Sequence, residues 1–295
     1  MTDRKPVDAL AFTTMLVLCI LWGLNQVAIK TAAAGVSTVL QGGIRSIAAT
    51  LLLVAWMAWR GTPLFQRDGT LVCGLAVGAL FALEFVFVYA GLAHTTASRM
   101  VVFIYLAPCL TALGVHFFVP GERLALPQWL GVGLAFVGMA TAFGDGFLSA
   151  QGETALGDLF GAIGAVLWAA TTVLIRSTRL SSASAEKTLF YQLGVSAIAM
   201  PLASVALGES GVTALTPLVV ACLAYQAVVV AFASYLAWFW LLTRYLAGRL
   251  AVFSFLTPLF GVLLGVLLLA ETVTPMFTLA AVLVGAGIAL VNRKV

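Results

Sequence analysis

One carboxylate stands where charge is costly. Glu84 sits in FALEFVFVYA (81–90), about 14 residues into an apolar run. An ionisable group at that depth in hydrocarbon costs at least about 2.5 kcal/mol unless it faces a cavity or a partner. Two chemistries fit it: pairing with a substrate amine, or carrying a coupling proton. A carboxyl held by neighbouring hydroxyls for packing is the structural alternative. Trp22, Asn25 and Gln26 form a second set. Trp22 and Asn25 are three apart and share a helix face, and Gln26 adjoins it. Buried amides need partners, which a polar cavity or a neighbouring helix can supply. Trp168, Thr171 and Thr172 make a similar set further along.

Tyr89, Tyr105, Tyr235, Trp238 and Phe239 could pack on an apolar side chain while bonding its polar head. Aromatic belts at the membrane interface use the same residues, and Trp56, Trp59 and Trp240 suit a belt better. His94 and His116 are the only histidines, both near helix ends, and no carboxylate accompanies them at metal-ligand spacing. No cofactor is expected. Pro108 and Pro258 read as mid-helix kinks at matching places, hence as hinges or as inherited packing features. The four cysteines lie singly in apolar runs with no CxxC spacing, so they read as small core residues.

The elements that position these residues follow from composition. The 295 residues are 62% hydrophobic and 9% charged, against about 25% charged in soluble domains. Lipid is the solvent that such a surface requires. The basic residues are scattered, with no cluster of the kind that binds nucleic acid. A span needs about 20 mostly apolar residues. Cutting at charges and turn residues leaves ten: 8–30, 36–59, 70–92, 97–118, 126–143, 155–176, 187–207, 215–241, 249–269 and 275–291. With the N-terminus in the cytoplasm, all but three of the 15 Lys and Arg residues fall on the cytoplasmic side. The exceptions are Lys30, Arg45 and Arg99. Both termini are therefore expected to be cytoplasmic.

The chain repeats itself. YAGLAHTTASRMVVFIYLAPCLTAL (89–113) aligns with FWLLTRYLAGRLAVFSFLTPLFGVL (239–263), so that Arg99 meets Arg249, Phe103 meets Phe253 and Pro108 meets Pro258. A shift of 146 puts Trp22 on Trp168 and Lys30 on Arg176. The halves are 1–147 and 148–295, each with five spans. Five is odd, so the second copy enters the membrane from the other side. The fold expected is an all-α polytopic membrane protein: ten transmembrane helices as two inverted five-helix repeats around a central cavity. Inverted repeats with a mid-membrane site between them are the architecture of secondary transporters.

The double five-helix repeat, WGLN (22–25), the YLAP/FLTP pair (105–108 and 255–258), GER (121–123) before a glycine-rich helix, and AET (270–272) resemble the EamA branch of the drug/metabolite transporter superfamily. More narrowly the chain is similar to YddG-type exporters of aromatic and other amino acids. The resemblance implies ten helices around a central cavity, with helices 1, 3, 4, 6, 8 and 9 lining it and helices 5 and 10 at the periphery. It also implies a bacterial inner membrane as location. The substrate-binding set expected is Trp22, Asn25, Gln26, Glu84, Tyr89, Tyr105, Trp168, Thr171, Tyr235 and Trp238, with hinges at Pro108 and Pro258.

The reading is a secondary transporter exporting small amphipathic metabolites, amino acids including aromatic ones, by alternating access. Its partners are a small-molecule substrate and the lipid bilayer, with no nucleic acid, and a monomer is one assembly that the sequence allows. A multidrug exporter of lipophilic cations is the alternative. No GxxxxGKS loop is present for ATP. An intramembrane enzyme would need HExxH, GxSG or paired aspartates, and the sequence has none. A passive channel would normally be lined by rings of repeated groups. Phosphate-ester carriers would want cationic clusters, whereas Arg45 is the only arginine well inside the other spans and Glu84 is acidic. An amine-bearing, zwitterionic or cationic substrate fits better.

Overall fold

A computed structural model of the chain describes residues 8–62, 68–119, 123–148, 153–245, 253 and 256–291. Gly121 and Glu122 of the GER motif, and Arg249, used above to align the repeats, lie outside the described residues. Helices account for nearly everything else. Helix α1 is Ala9–Ala32, α2 Thr38–Trp59, α3 Leu71–Leu92, α4 Ala97–Ile104, α5 Ala107–Phe118 and α6 Leu126–Leu148. Helix α7 is Glu153–Ser177, α8 Ala185–Ala206 and α9 Pro217–Ala224. A π-helical stretch, Tyr225–Ser234, joins α9 to α10, Tyr235–Arg244. Helices α11, Leu256–Leu269, and α12, Pro275–Val291, follow. Among the described residues, eight spans are long and apolar enough to cross a bilayer, and α11 and α12 are shorter apolar helices.

The helix ends are set by local chemistry. Asp8, Thr96, Ser184 and Thr216 each accept a hydrogen bond from a backbone N–H in the first turn of the helix that follows, which satisfies donors with no intrahelical partner. Glu271 does the same from afar: its Oε1 accepts from the Ala97 N–H at 2.7 Å and its Oε2 from the Ser98 N–H at 2.9 Å. An anion at the start of α4 is also favoured by the helix dipole. Ala270, at φ +52°, is the one non-glycine residue with positive φ among the described residues, and it turns the chain just before Glu271.

Packing depends on small residues. Helices α6 and α12 lie against each other along their lengths, with Gly131 and Gly138 meeting the backbone oxygens of Gly287 and Ala280. Helix α1 packs on α11 where Gly23 meets the Gly261 backbone. Helix α3 lies between α7 and α8, and α2 lies against α8 and the π-helical stretch. Gly74/Gly78, Gly157/Gly161 and Gly261/Gly265 have the GxxxG spacing of close-packing pairs. Gly78 indeed sits against the Tyr191 carbonyl and Val195, and Gly157 against Thr95 and Gly91.

Candidate functional site

Glu84 is buried, 4% exposed, and its Oε2 has no hydrogen-bond partner. It is not the only deep charge. Arg45, on the second turn of α2, is 1% exposed and lies with its guanidinium 4.1 Å from the Phe85 ring centroid. Its Nη1 donates to the Tyr89 hydroxyl at 3.3 Å, while its Nε and Nη2 have no partner. Glu84 and Tyr235 are electrostatic neighbours of the same guanidinium. The sequence noted Arg45 as a lone inner arginine and argued from Glu84. The two belong to one environment, an acid and a base with no hydrogen bond between Glu84 Oε2 and the guanidinium.

From Tyr89 a buried polar chain runs on. The Tyr89 hydroxyl donates to Gln226 Oε1 at 2.8 Å. Gln226 Nε2 donates to Gln41 Oε1 at 3.0 Å, and Gln41 Nε2 donates to the Val36 carbonyl at 2.9 Å. Gln41 and Gln226 are 0% exposed. This chain ties α2 and α3 to the π-helical stretch. A π turn adds a residue per turn and is common at functional sites. Sequence reasoning did not single out Gln41 or Gln226. The available signal was an amide in the interior of an apolar span.

The other expected residues fall in two groups. Trp22 donates through Nε1 to Ser234 Oγ at 2.9 Å and meets Trp238 edge to face, with centroids 6.0 Å apart. A shift of 150 residues sets Ser234 against Glu84, a hydroxyl against a carboxyl. Asn25 and Gln26 are buried on α1, and each has a carbonyl oxygen without a partner. On the other side, Tyr105 meets Trp168 edge to face at 5.5 Å. Thr171 and Thr172 donate to carbonyls of their own helix, Leu167 and Trp168. Phe239 lies in α10, and its side chain is outside the described residues.

Pro108 is not mid-helix. The span 97–118 is interrupted at Tyr105 and Leu106, and Pro108 stands in the first turn of α5. In a first turn the N–H that proline lacks has no intrahelical acceptor to lose, so the Pro108 ring is accommodated without breaking a bond. Pro108 therefore marks where α5 begins. Pro258 lies in α11, and the two residues before Leu256 are outside the described residues. Next to Pro258, Thr257 Oγ1 is buried without a partner.

The three basic residues outside the charge rule have partners. Lys30 donates to the Leu92 and Thr95 carbonyls at 3.0 and 2.7 Å. Arg99 bridges two acids: its Nε donates to Asp158 Oδ2 at 3.0 Å and its Nη1 to Asp145 Oδ2 at 2.7 Å. Thr95 and Thr274 complete the two carboxylates at 2.8 and 2.6 Å. The third, Arg45, is the one with whole nitrogens, Nε and Nη2, that have no hydrogen-bond partner.

Two cavities lie elsewhere. One, of about 410 Å3, is lined by Asp68, Thr70, Arg179 and Lys187 between the starts of α3 and α8. The other, of about 330 Å3, is an open apolar groove between α1 and the π-helical stretch. Lys187 pairs with Asp68 at 2.6 Å, and that bond, with Thr70, holds the Asp68 carboxyl well below the usual carboxylate range. Among the described residues no group of His, Cys, Asp and Glu could hold a metal ion. The site's chemistry is that of binding through charge, amide and aromatic surface.

A stack of apolar helices with polar groups gathered at their centre is the construction of a membrane carrier. The EamA-like transporter family model matches residues 9–144 and again 155–293. The chain belongs to the EamA-like transporter family and is a multi-pass membrane protein. It is 25% identical to a "Probable amino-acid metabolite efflux pump" of Salmonella typhimurium over 280 residues, 92% of this chain and 91% of the relative. A protein of the same description from Escherichia coli is 26% identical over 281 residues, with the same coverage of 92% and 91%. An uncharacterized transporter of Archaeoglobus fulgidus is 28% identical over 254 residues, 85% of this chain and 86% of the relative. A solved crystal structure of a protein 24% identical aligns with a TM-score of 0.67 over 95% of this chain and 96% of that one, a likeness of fold alone.

Proposed function

We propose that the protein exports small amphipathic metabolites, amino acids including aromatic ones among them, by alternating access. Ten spans form two inverted halves, 1–147 and 148–295, with both termini in the cytoplasm. The twofold match to the family model supports the division. So does the reciprocity of the packing. Helix α3 on α7 is answered by the π-helical stretch on α1, and α1 on α11 by α7 on α4 and α5. The pairs α2 with α8 and α6 with α12 answer themselves. Two similar halves in reciprocal contact give two arrangements of similar energy, open to either side.

The observation that carries the reading is the buried polar chain from Arg45 through Tyr89 to Gln226, which joins one half to the other beside Glu84. Ionisable groups inside a membrane mark substrate or ion pathways. The aromatic pairs Trp22–Trp238 and Tyr105–Trp168 supply apolar surface near it. The relatives described as amino-acid metabolite efflux pumps favour the same substrate class. Export of lipophilic cations is the second reading, favoured by Glu84 together with those aromatic pairs.

The test is counterflow in proteoliposomes loaded with unlabelled amino acids, compared with lipophilic cations, at several pH values. Trans-stimulated uptake of labelled amino acid is expected, since a carrier exchanges faster than it moves net flux. Exchange of the cations with no exchange of any amino acid would replace the first reading by the second.

A further inference from the structure

Arg45 poses a question that packing does not answer. A guanidinium has five N–H donors in a planar fork. In this protein the Nη1 side is engaged by Tyr89 and the ring of Phe85 covers one face. The Nε and Nη2 hydrogens, which point along one edge in parallel, are buried and make no hydrogen bond, and the Tyr235 hydroxyl stands near the guanidinium. That edge is the one with which arginine grips a carboxylate through two bonds. Leaving such donors unpaired in a low-dielectric interior costs free energy, and a buried cation without its counter-charge costs more. Glu84 is a neighbour in charge, yet its free oxygen does not bond Arg45. The protein therefore holds an acid and a base apart, each with an unsatisfied atom. Asn25 and Gln26 add two unpartnered carbonyl oxygens on α1, which packs against α2 and α3.

We propose that Arg45 is the carboxylate-recognition residue of the transport site, taking a substrate carboxylate in bidentate fashion on its Nε–Nη2 edge, while the unpartnered oxygen of Glu84 faces the substrate's ammonium group. The proposal deepens the export reading and rests on it, because it names which end of the substrate meets which residue. The chemistry is complementary in sign and in count. The donors left free suit an anion, and the acceptors left free suit an ammonium. The two groups offer one partner to each end of a zwitterion, a set that neither a doubly charged phosphate nor a simple cation uses in full. The Tyr89–Gln226–Gln41 chain is what holds the guanidinium in place. Because Gln226 belongs to the other half, that chain links the grip on the substrate to the arrangement of the halves. Phe85 and Tyr235, beside the guanidinium, are only half-buried.

The experiment is counterflow of labelled L-phenylalanine and L-leucine by the full chain in proteoliposomes, competed by three ligands for each amino acid. These are the amino acid, its carboxamide, and the decarboxylated amine. Two charge-assisted bonds are at stake, so the amide and the amine are expected to compete roughly 10- to 100-fold less well than the acid. Arg45→Lys, which keeps the charge and loses the fork, is expected to shrink that ratio to within a few-fold of unity. Tyr89→Phe, which removes the hydroxyl that holds Nη1, shrinks it by less and serves if the lysine variant is not monodisperse in detergent. Equal competition by all three ligands on the wild type overturns the role of Arg45 while the export reading stands. A ratio unchanged in both variants does the same. Absence of counterflow for every amino acid overturns the export reading, and the inference falls with it.

Discussion

Replacing Arg99 by methionine removes the centre of a buried ionic cluster. The guanidinium uses Nε and Nη2 on Asp158 and Nη1 on Asp145, and Nη2 also donates to the Ala142 carbonyl at 2.6 Å. The Asp158 side chain is 0% exposed and that of Asp145 9%. Methionine fits the length of the side chain, so little packing volume is lost. What remains is two carboxylates with one hydroxyl each, Thr95 and Thr274. Breaking a buried ion pair by removing one partner costs about 3–5 kcal/mol. For a chain of this size about 2 °C of melting temperature corresponds to each kcal/mol, which makes the expected fall about 6–10 °C in detergent. The assay is thermal unfolding of the purified protein followed by size-exclusion fluorescence. The double variant Arg99→Met with Asp158→Asn removes a charge of each sign and is expected to recover part of the loss, with a coupling of about 1–3 kcal/mol. A single variant melting within 2 °C of wild type, on the scale of about 2 °C per kcal/mol, would refute the reasoning. A double variant that lost the sum of the two single losses would refute it as well.

Glu84→Gln keeps size and removes charge, so in proteoliposomes it is expected to lower amino acid exchange and flatten its pH dependence. Wild-type rates at every pH would show that the carboxylate takes no part in transport. Gly78→Ala would put a methyl group against the Tyr191 carbonyl and Val195, where backbone cannot yield, and is expected to cost about 1–3 kcal/mol. Gly285→Ala meets nothing within 4 Å and is expected to stabilise by about 0.5–1 kcal/mol. Equal melting temperatures for the two glycine variants would contradict that contrast. The Asp68 carboxyl is depressed chiefly by the Lys187 hydrogen bond. Its contribution is therefore present above the ordinary carboxylate value, about pH 4, and is lost as the pH falls below that. Hydrogen exchange at the start of α3 is expected to rise on acidification in the wild type and to lack that component in Asp68→Asn.

Helix position was the most legible feature of the sequence. Hydrocarbon demands runs of apolar residues, and the expected 36–59, 70–92 and 275–291 match α2, α3 and α12 within two residues. The interruption at Tyr105 and Leu106 and the π-helical Tyr225–Ser234 were not legible, because both lie inside continuous apolar runs. Pro108 pointed to the right neighbourhood. The physical reading differed: a proline can open a helix as well as bend one, and a span's length alone does not say which. The glycine pairs were legible as contact points, since a neighbouring ring at Gly74 and backbone oxygens at Gly78 and Gly157 come closer than a side chain there would allow.

The polar centre divides between sequence and structure. By itself the sequence determined that this chain lies in a membrane, that it is helical, that it is duplicated in pattern, and that Glu84 is a costly group needing an explanation. Those conclusions come from local quantities: apolar length, charge tally, and the price of an ion in lipid. Only the tertiary structure decided what Glu84 is near. Arg45 is 39 residues away in the chain, and Gln226 is 137 residues from Tyr89, so no periodicity could bring them together. Which donors of Arg45 are spent on Tyr89 and which are left free is a matter of atoms and angles in the fold. A one-dimensional pattern records that a charge is buried. The three-dimensional arrangement records which of its hydrogen bonds remain to be made.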